Sequence, residues 1–200
     1  GFTTQQTSAM NELLGQREML QELIGDLLHV SANAADVLMN LPDDLSPERR
    51  AVVEAACSLV GKVNYFWGGK SLVLGWDFRW GTIKKVTADG SPTTGTFRLY
   101  GLDCSGFVNW VFFNASEGDY IIGHGGGSHA QHTYCTLITW EDTIPGDLVF
   151  YPDDTHAGVV GGRNGDGELL IIHCSSGHDN VVITTREEFL TIGKPMYYAD

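Results

Sequence analysis

The apolar positions along this chain follow two regimes. From residue 8 to 40 they recur at helical spacing. Leu13, Leu20 and Leu27 repeat every seven residues, with Met10, Leu14, Leu23, Ile24 and Leu28 beside them. This predicts helix over 8–40, weakened at Gly15 and Gly25 and broken near Ser31-Ala32-Asn33 into two pieces. The pattern is too short for a stable isolated coil, so we expect it to pack on the rest of the chain. Leu41-Pro42-Asp43-Asp44-Leu45 reads as a linker. Ser46 then caps a helix, with Pro47 at its first position and Glu48 in its first turn. Ala51, Val52, Ala55, Ala56, Leu59 and Val60 form the apolar face, and Gly61 ends it. A further helix is predicted from Cys104 to Ala115, where Phe107, Val108, Val111 and Phe112 share one face.

In the C-terminal third the period shortens. Pro145-Gly146-Asp147 turns into a run at Leu148–Tyr151, and Asp153-Asp154-Thr155 into one at His156–Gly161. Asn164-Gly165-Asp166-Gly167 leads to Leu169–His173, and Ser176-Gly177-His178-Asp179 to Val181–Thr184, with a last strand at Pro195–Ala199. Short turns between apolar runs predict an antiparallel meander. Helices first and strands afterwards predict an α+β fold. Two segments stand apart from this scheme. Residues 71–100 form an irregular excursion with a β-hairpin, Thr82–Val86 against Thr96–Tyr100, and its aromatics Trp76, Phe78 and Trp80 are expected partly accessible beside a groove. Residues 123–132 read as a flexible, histidine-rich loop near a substrate groove. We divide the chain into an N-terminal helical segment, 1–45, and a main domain, 46–200, with an insertion at about 71–100.

Charge narrows the function classes. The chain carries 12 Lys+Arg against 25 Asp+Glu, a formal charge of −13. Nucleic acids and anionic membrane surfaces need concentrated basic charge, so neither is an expected partner. No stretch is long and apolar enough to span a bilayer. The first ten residues lack the basic start and apolar run of a signal peptide, and we expect any leader to have been cut away before Gly1. The cysteines are Cys57, Cys104, Cys135 and Cys174, and none shows CxxC spacing. The histidines at 124, 129 and 132 sit among glycines with no interleaved carboxylate, so no metal and no cofactor is expected.

Of the four cysteines only Cys104 falls at a helix start. Unpaired N–H groups and the positive end of the helix dipole there favour a thiolate. His156 and His173 lie at the beginning and end of two successive strands, so an antiparallel hairpin would set them side by side. One imidazole can then act as base and the other orient it, with cysteine as nucleophile and the Cys104 N–H as an oxyanion donor. Cys174 follows His173 but should point to the opposite face of the strand.

Five motifs occur in order: Tyr65-Phe66-Trp67-Gly68-Gly69, Asp103-Cys104-Ser105-Gly106, Pro145-Gly146-Asp147-Leu148-Val149-Phe150, His156-Ala157-Gly158-Val159-Val160 and Ile172-His173. Over residues 46–200 the chain resembles the NlpC/P60 family of cell-wall cysteine peptidases. The resemblance implies a papain-like fold, with Cys104 as nucleophile, His156 as general base and His173 as the residue that orients it. It implies substrate contacts from Tyr65, Trp67, Asp103 and Ser105. It implies hydrolysis of a peptidoglycan stem peptide at the γ-D-glutamyl–diamino acid bond, in an extracellular or cell-wall setting, with further domains of a longer parent as an expected context. Two alternatives remain: an amidase of the N-acetylmuramoyl-L-alanine type, or a catalytically idle wall-binding module. The long stretch between Trp67-Gly68-Gly69 and Asp103 departs from the family's usual short connection.

Overall fold

The computed structural model describes residues 33–186 and 188–199, together with 12, 15 and 16. The helical reading for 8–32 lies otherwise outside the described residues. Residues 33–39 are helical, and Val37 is buried against Gly161. The first long helix, α1 (Pro47–Ser58), starts where the sequence predicts. The Ser46 hydroxyl accepts the Arg49 N–H, and Pro47 occupies the first turn, where its missing N–H costs nothing. Its buried side carries Val52, Val53, Ala56 and Cys57, and also Arg49. That guanidinium pairs with Asp147 at 2.9 Å, donates to the Pro145 carbonyl and lies over the Tyr198 ring. A buried charge is tolerated only when so paired, and the pair ties α1 to the turn before the sheet.

Helix α2 (Cys104–Ala115) has the predicted bounds. Its burial differs from the prediction. Every residue from Cys104 to Phe112 is buried, not one face. The helix is enclosed by α1, the sheet and the loops at 68–81 and 122–131, so apolar periodicity understated its contacts. Gly106 belongs to this packing: a Cβ there would sit 2.0 Å from the Gly69 carbonyl oxygen.

The strands are β1 (Ile83–Lys85), β2 (Phe97–Leu99), β3 (Cys135–Leu137), β4 (Leu148–Phe150), β5 (Ala157–Arg163), β6 (Leu169–Ser175), β7 (Asn180–Thr185) and β8 (Thr191–Pro195). β1 and β2 form the hairpin predicted inside the excursion. The other six make one antiparallel sheet in the order β3-β8-β4-β5-β6-β7. The meander β4-β5-β6-β7 is as predicted. The last strand is not: it runs over Thr191–Pro195, four residues earlier than expected, and returns to the free edge of β4. Its core contacts come from Ile192 and Gly193, which alternation within Tyr197–Tyr198 could not reveal.

The excursion begins and ends at one place. The Phe66 N–H donates to the Leu102 carbonyl, the Leu102 N–H to Asn64, and the Asp103 N–H to Gly69. A Cβ at Gly101 would meet the Asn64 carbonyl oxygen at 1.8 Å, so only glycine fits this closed neck. Because the ends are pinned together, a long insertion leaves the position of Cys104 unchanged.

Candidate active site

Asp103 builds the start of α2. Its backbone is extended, and its Oδ1 accepts the Gly106 N–H at 2.6 Å, a capping bond that ends the strand-like approach and opens the helix. Cys104 is thereby the first helical residue and is 5% exposed. The Ala157 and Ser105 backbone N–H groups are directed at its sulfur. Ala157 follows His156 and opens β5, so the residue next in the chain to His156 meets the Cys104 sulfur through its backbone.

His156 Nε2 and His173 Nδ1 are 2.7 Å apart, and the rings meet edge to face. The register explains the meeting. Val159 pairs with Ile172, which sets His173 opposite Gly158 and His156 diagonally across from it. A Cβ on Gly158 would already press on Ile171 at 2.7 Å and on the His173 Cβ at 3.2 Å. A side chain at 158 would crowd the two rings. On its far side His173 Nε2 lies 3.1 Å from Thr184 Oγ1 on β7. Phe189 packs against both imidazoles. As the alternation predicts, Cys174 turns away from His173; its thiol donates to the Leu102 carbonyl on the helix side.

The electrostatics correct one expectation. Burial pushes the Cys104 thiol up to about 11, and the neighbouring Asp103 charge adds to this, outweighing the Ala157 and Ser105 N–H groups and Lys70. Burial lowers His156 to about 4, against the pull of Asp103, and lowers His173 to about 3, aided by His156 and His178. Burial thus favours a neutral thiol at Cys104 and a neutral imidazole at His156 over a preformed thiolate. The helix terminus remains useful as a source of N–H donors, but it does not overcome desolvation. Of the four cysteines Cys104 is the least raised. Burial raises Cys57 and Cys135 to about 12, and Cys174 stands well above its ordinary value for the same reason. All four are buried free thiols.

A cleft of about 330 Å³ opens beside the nucleophile, walled by Trp67, Lys70, Asp103, Ser105 and the 125–128 loop. Lys70 was missed by the sequence reading. Its ammonium lies 2.9 Å from Asp103 Oδ1 and 2.5 Å from Ser105 Oγ, and Ser105 also donates to Asp103. Asp103 is thus engaged by the helix cap, a hydroxyl and an ammonium. Tyr65 lines a second pocket of about 370 Å³, together with Trp67, the 90–93 turn of the excursion and Arg98. Burial raises the Tyr65 phenol, and the fields of Cys104 and Asp103 add to this, which places the ring near the nucleophile. The excursion therefore meets the site region through its turn. The expectation for its aromatics holds only in part: Trp76 and Phe78 are exposed, but Trp80 is buried between Trp76 and Trp110.

The histidine-rich segment is more ordered in its backbone than its glycines suggest. It forms a short turn at Ile122–Gly125 and a helix, α3 (Ser128–Thr133). Gln131 is buried and donates to the Ser105 carbonyl and to Asn109, clamping the segment onto the first turns of α2. His129 and His132 each bond one oxygen of Asp154, and Ser128 donates to the Asp154 carbonyl. Asp154 has φ +55° and sits two residues before His156. These groups hold the turn that delivers the base. Among the described residues no cluster of His, Cys, Asp and Glu has the geometry to hold a metal ion. None of the described helices is long and apolar enough to cross a membrane.

The NlpC/P60 family profile matches residues 62–190. Probable endopeptidases of Mycobacterium bovis and Mycobacterium tuberculosis are 32% identical over 140 residues, which are 68% of this chain and 26% of those proteins. The chain thus spans about a quarter of the length of the curated relatives it matches. Among solved structures, the peptidoglycan hydrolase RipB of M. tuberculosis superposes with a TM-score of 0.54 at 19% identity, over 86% of this chain and 85% of that one. RipD of the same organism, described as a non-catalytic NlpC/p60 domain protein adapted to peptidoglycan binding, gives 0.52 at 16%, over 75% and 98%. At these identities the superpositions establish the papain-like α+β fold, and the profile match over more than half the chain establishes the lineage: the chain belongs to the NlpC/P60 family.

Proposed function

We propose that this chain is a cysteine endopeptidase that hydrolyses the γ-D-glutamyl–diamino acid bond of peptidoglycan stem peptides. The observation that carries the reading is the 2.7 Å contact between His156 Nε2 and His173 Nδ1, next to the helix start that bears Cys104. That contact occupies one nitrogen of His156 and leaves Nδ1 for the thiol. In the proposed reaction, His156 Nδ1 takes the Cys104 proton as the sulfur attacks the peptide carbonyl carbon. The Cys104 N–H, which has no intrahelical acceptor, meets the developing oxyanion. The tetrahedral adduct collapses to a thioester, and the leaving amine takes the proton from His156. Water, deprotonated by His156, then cleaves the thioester and restores the thiol. A neutral thiol–imidazole pair suits this sequence, because the proton moves only when the nucleophile is needed.

Lys70 and the engaged Asp103 support a peptide substrate with a carboxylate near the scissile bond. The cation on that wall is the Lys70 ammonium, which bonds Asp103 and Ser105 and keeps a third N–H, and the Asp103 carboxylate already has three partners. Tyr65, Trp67 and Ser105 are proposed as further substrate contacts. The proposed setting is the cell wall, within a longer protein whose other parts lie outside this sequence. Incubation with purified sacculi tests the class of activity. Release of soluble fragments with a new amine on the diamino acid supports the proposal. A new amine on L-alanine indicates the amidase, and binding without release indicates a wall-binding module.

A further inference from the structure

We propose that Thr184 is a positioning residue: its hydroxyl sets the tautomer of His173, and through it leaves a lone pair on His156 Nδ1, the nitrogen that the proposed mechanism assigns to take the Cys104 proton. The inference rests on the Cys104–His156–His173 reading above, and it assigns a role to a residue on β7 that touches neither the thiol nor the substrate cleft. Hydrogen positions follow here from the requirement that each proton be used once. The Thr184 hydroxyl has one proton, and we assign it to the Thr185 carbonyl oxygen, 3.0 Å away. A carbonyl can only accept. Thr184 Oγ1 therefore offers only lone pairs to its other neighbour, His173 Nε2, at 3.1 Å. His173 Nε2 must carry a proton to make that bond.

His173 is buried and neutral, so it holds a single ring proton. With that proton on Nε2, its Nδ1 is an acceptor. It faces His156 Nε2 at 2.7 Å, so His156 Nε2 must be the donor. His156 is neutral as well, which leaves its Nδ1 bare and able to take the thiol proton. The three observed bonds run one way, His156 to His173, His173 to Thr184, and Thr184 to the Thr185 carbonyl, and the proposed proton transfer from Cys104 to His156 runs in the same direction. Reversing the last link reverses the rest. If a group donated to His173 Nε2, its proton would move to Nδ1, His156 Nε2 would become the acceptor, and His156 Nδ1–H would face the thiol. No base would remain. The same direction serves the later step, because an imidazolium at His156 still donates from Nε2 to the His173 lone pair.

The test uses Thr184→Val, which removes the hydroxyl at nearly constant volume, and Thr184→Ser, which restores it. In the intact protein labelled with ¹⁵N-histidine, the wild type should show His156 and His173 each protonated on Nε2 and bare on Nδ1 near pH 7. Thr184→Val should show mixed tautomers at both rings. Its kcat on muropeptides should fall at least about ten-fold with KM within about two-fold, since a misoriented base loses rate rather than binding. Thr184→Ser should recover kcat to within about three-fold of wild type. Melting curves check that the variants fold. A wild-type spectrum with the proton on His156 Nδ1 would overturn the inference even if Thr184→Val failed to fold. So would a folded Thr184→Val protein with wild-type tautomers and kcat. Absence of any wild-type hydrolysis would instead strike at the proposed function, while the tautomers would still be read from the same spectra.

Discussion

Acidification should destabilise this protein through its paired histidines, and His173 isolates the effect. Its folded value is lowered from 6.5 to about 3 because it is buried, with His156 and His178 adding to the shift. A histidine lowered in the folded state binds fewer protons there than in the unfolded chain. Its contribution is intact above about pH 6.5 and is lost progressively as pH falls toward about 3. At pH 4.5 the unfolded residue is almost fully protonated and the folded one is not. The loss is then about 2 pH units times 1.36 kcal/mol, or about 2 to 3 kcal/mol from His173 alone. The assay is urea unfolding at pH 7 and at pH 4.5, on the wild type and on His173→Gln. Carboxylates titrate in both proteins and cancel in the difference. The wild type should lose about 2 to 3 kcal/mol more than the variant across this interval. Equal losses would refute the assignment of a buried, neutral His173.

Other outcomes follow from the same geometry. His156→Ala should abolish nearly all turnover, whereas His173→Ala should leave a measurable remainder, because the base is more essential than the group that orients it; equal wild-type rates in both would remove the triad. Among the four cysteines, iodoacetamide should modify Cys104 first, with activity lost in step. Because its thiol is raised to about 11, the rate should climb steadily with pH above neutrality instead of being fast at pH 6. Peptide mapping reads the order, and faster labelling at another cysteine contradicts it. Arg49→Met leaves the buried Asp147 carboxylate without its guanidinium and should cost about 3 kcal/mol in urea unfolding; a change within experimental error would show the pair to be structurally idle.

What could be read in the sequence was local. The helix start at Cys104 was legible because Phe107, Val108, Val111 and Phe112 recur at helical spacing, and the structure starts the helix there. His156 and His173 could be paired because a short turn joins two apolar runs, so strand ends had to meet. What escaped were contacts between segments far apart in the chain. Lys70 reaches Asp103 across 33 residues, Gln131 reaches Ser105 across 26, and Thr184 reaches His173 from the next strand; none leaves a mark on its own stretch of sequence. The histidine-rich segment misled for a related reason. Its glycines signal freedom, but Asp154, contributed by another loop, takes up both His129 and His132. The thiolate expectation failed because a helix terminus is visible in sequence and desolvation is not. Cys104 is enclosed by residues from α2, β5 and the Tyr65 segment, and that enclosure decides its charge state.

The central claim is that Cys104 cleaves the γ-D-glutamyl–diamino acid bond. The most direct measurement is mass spectrometry of a defined muropeptide after incubation with the wild type and with Cys104→Ser. The account predicts that the wild type releases a fragment beginning with the free amine of the diamino acid, and that folded Cys104→Ser, a far weaker nucleophile at the same place, leaves the muropeptide intact. Products cut at another bond, or the same products from Cys104→Ser, would contradict it.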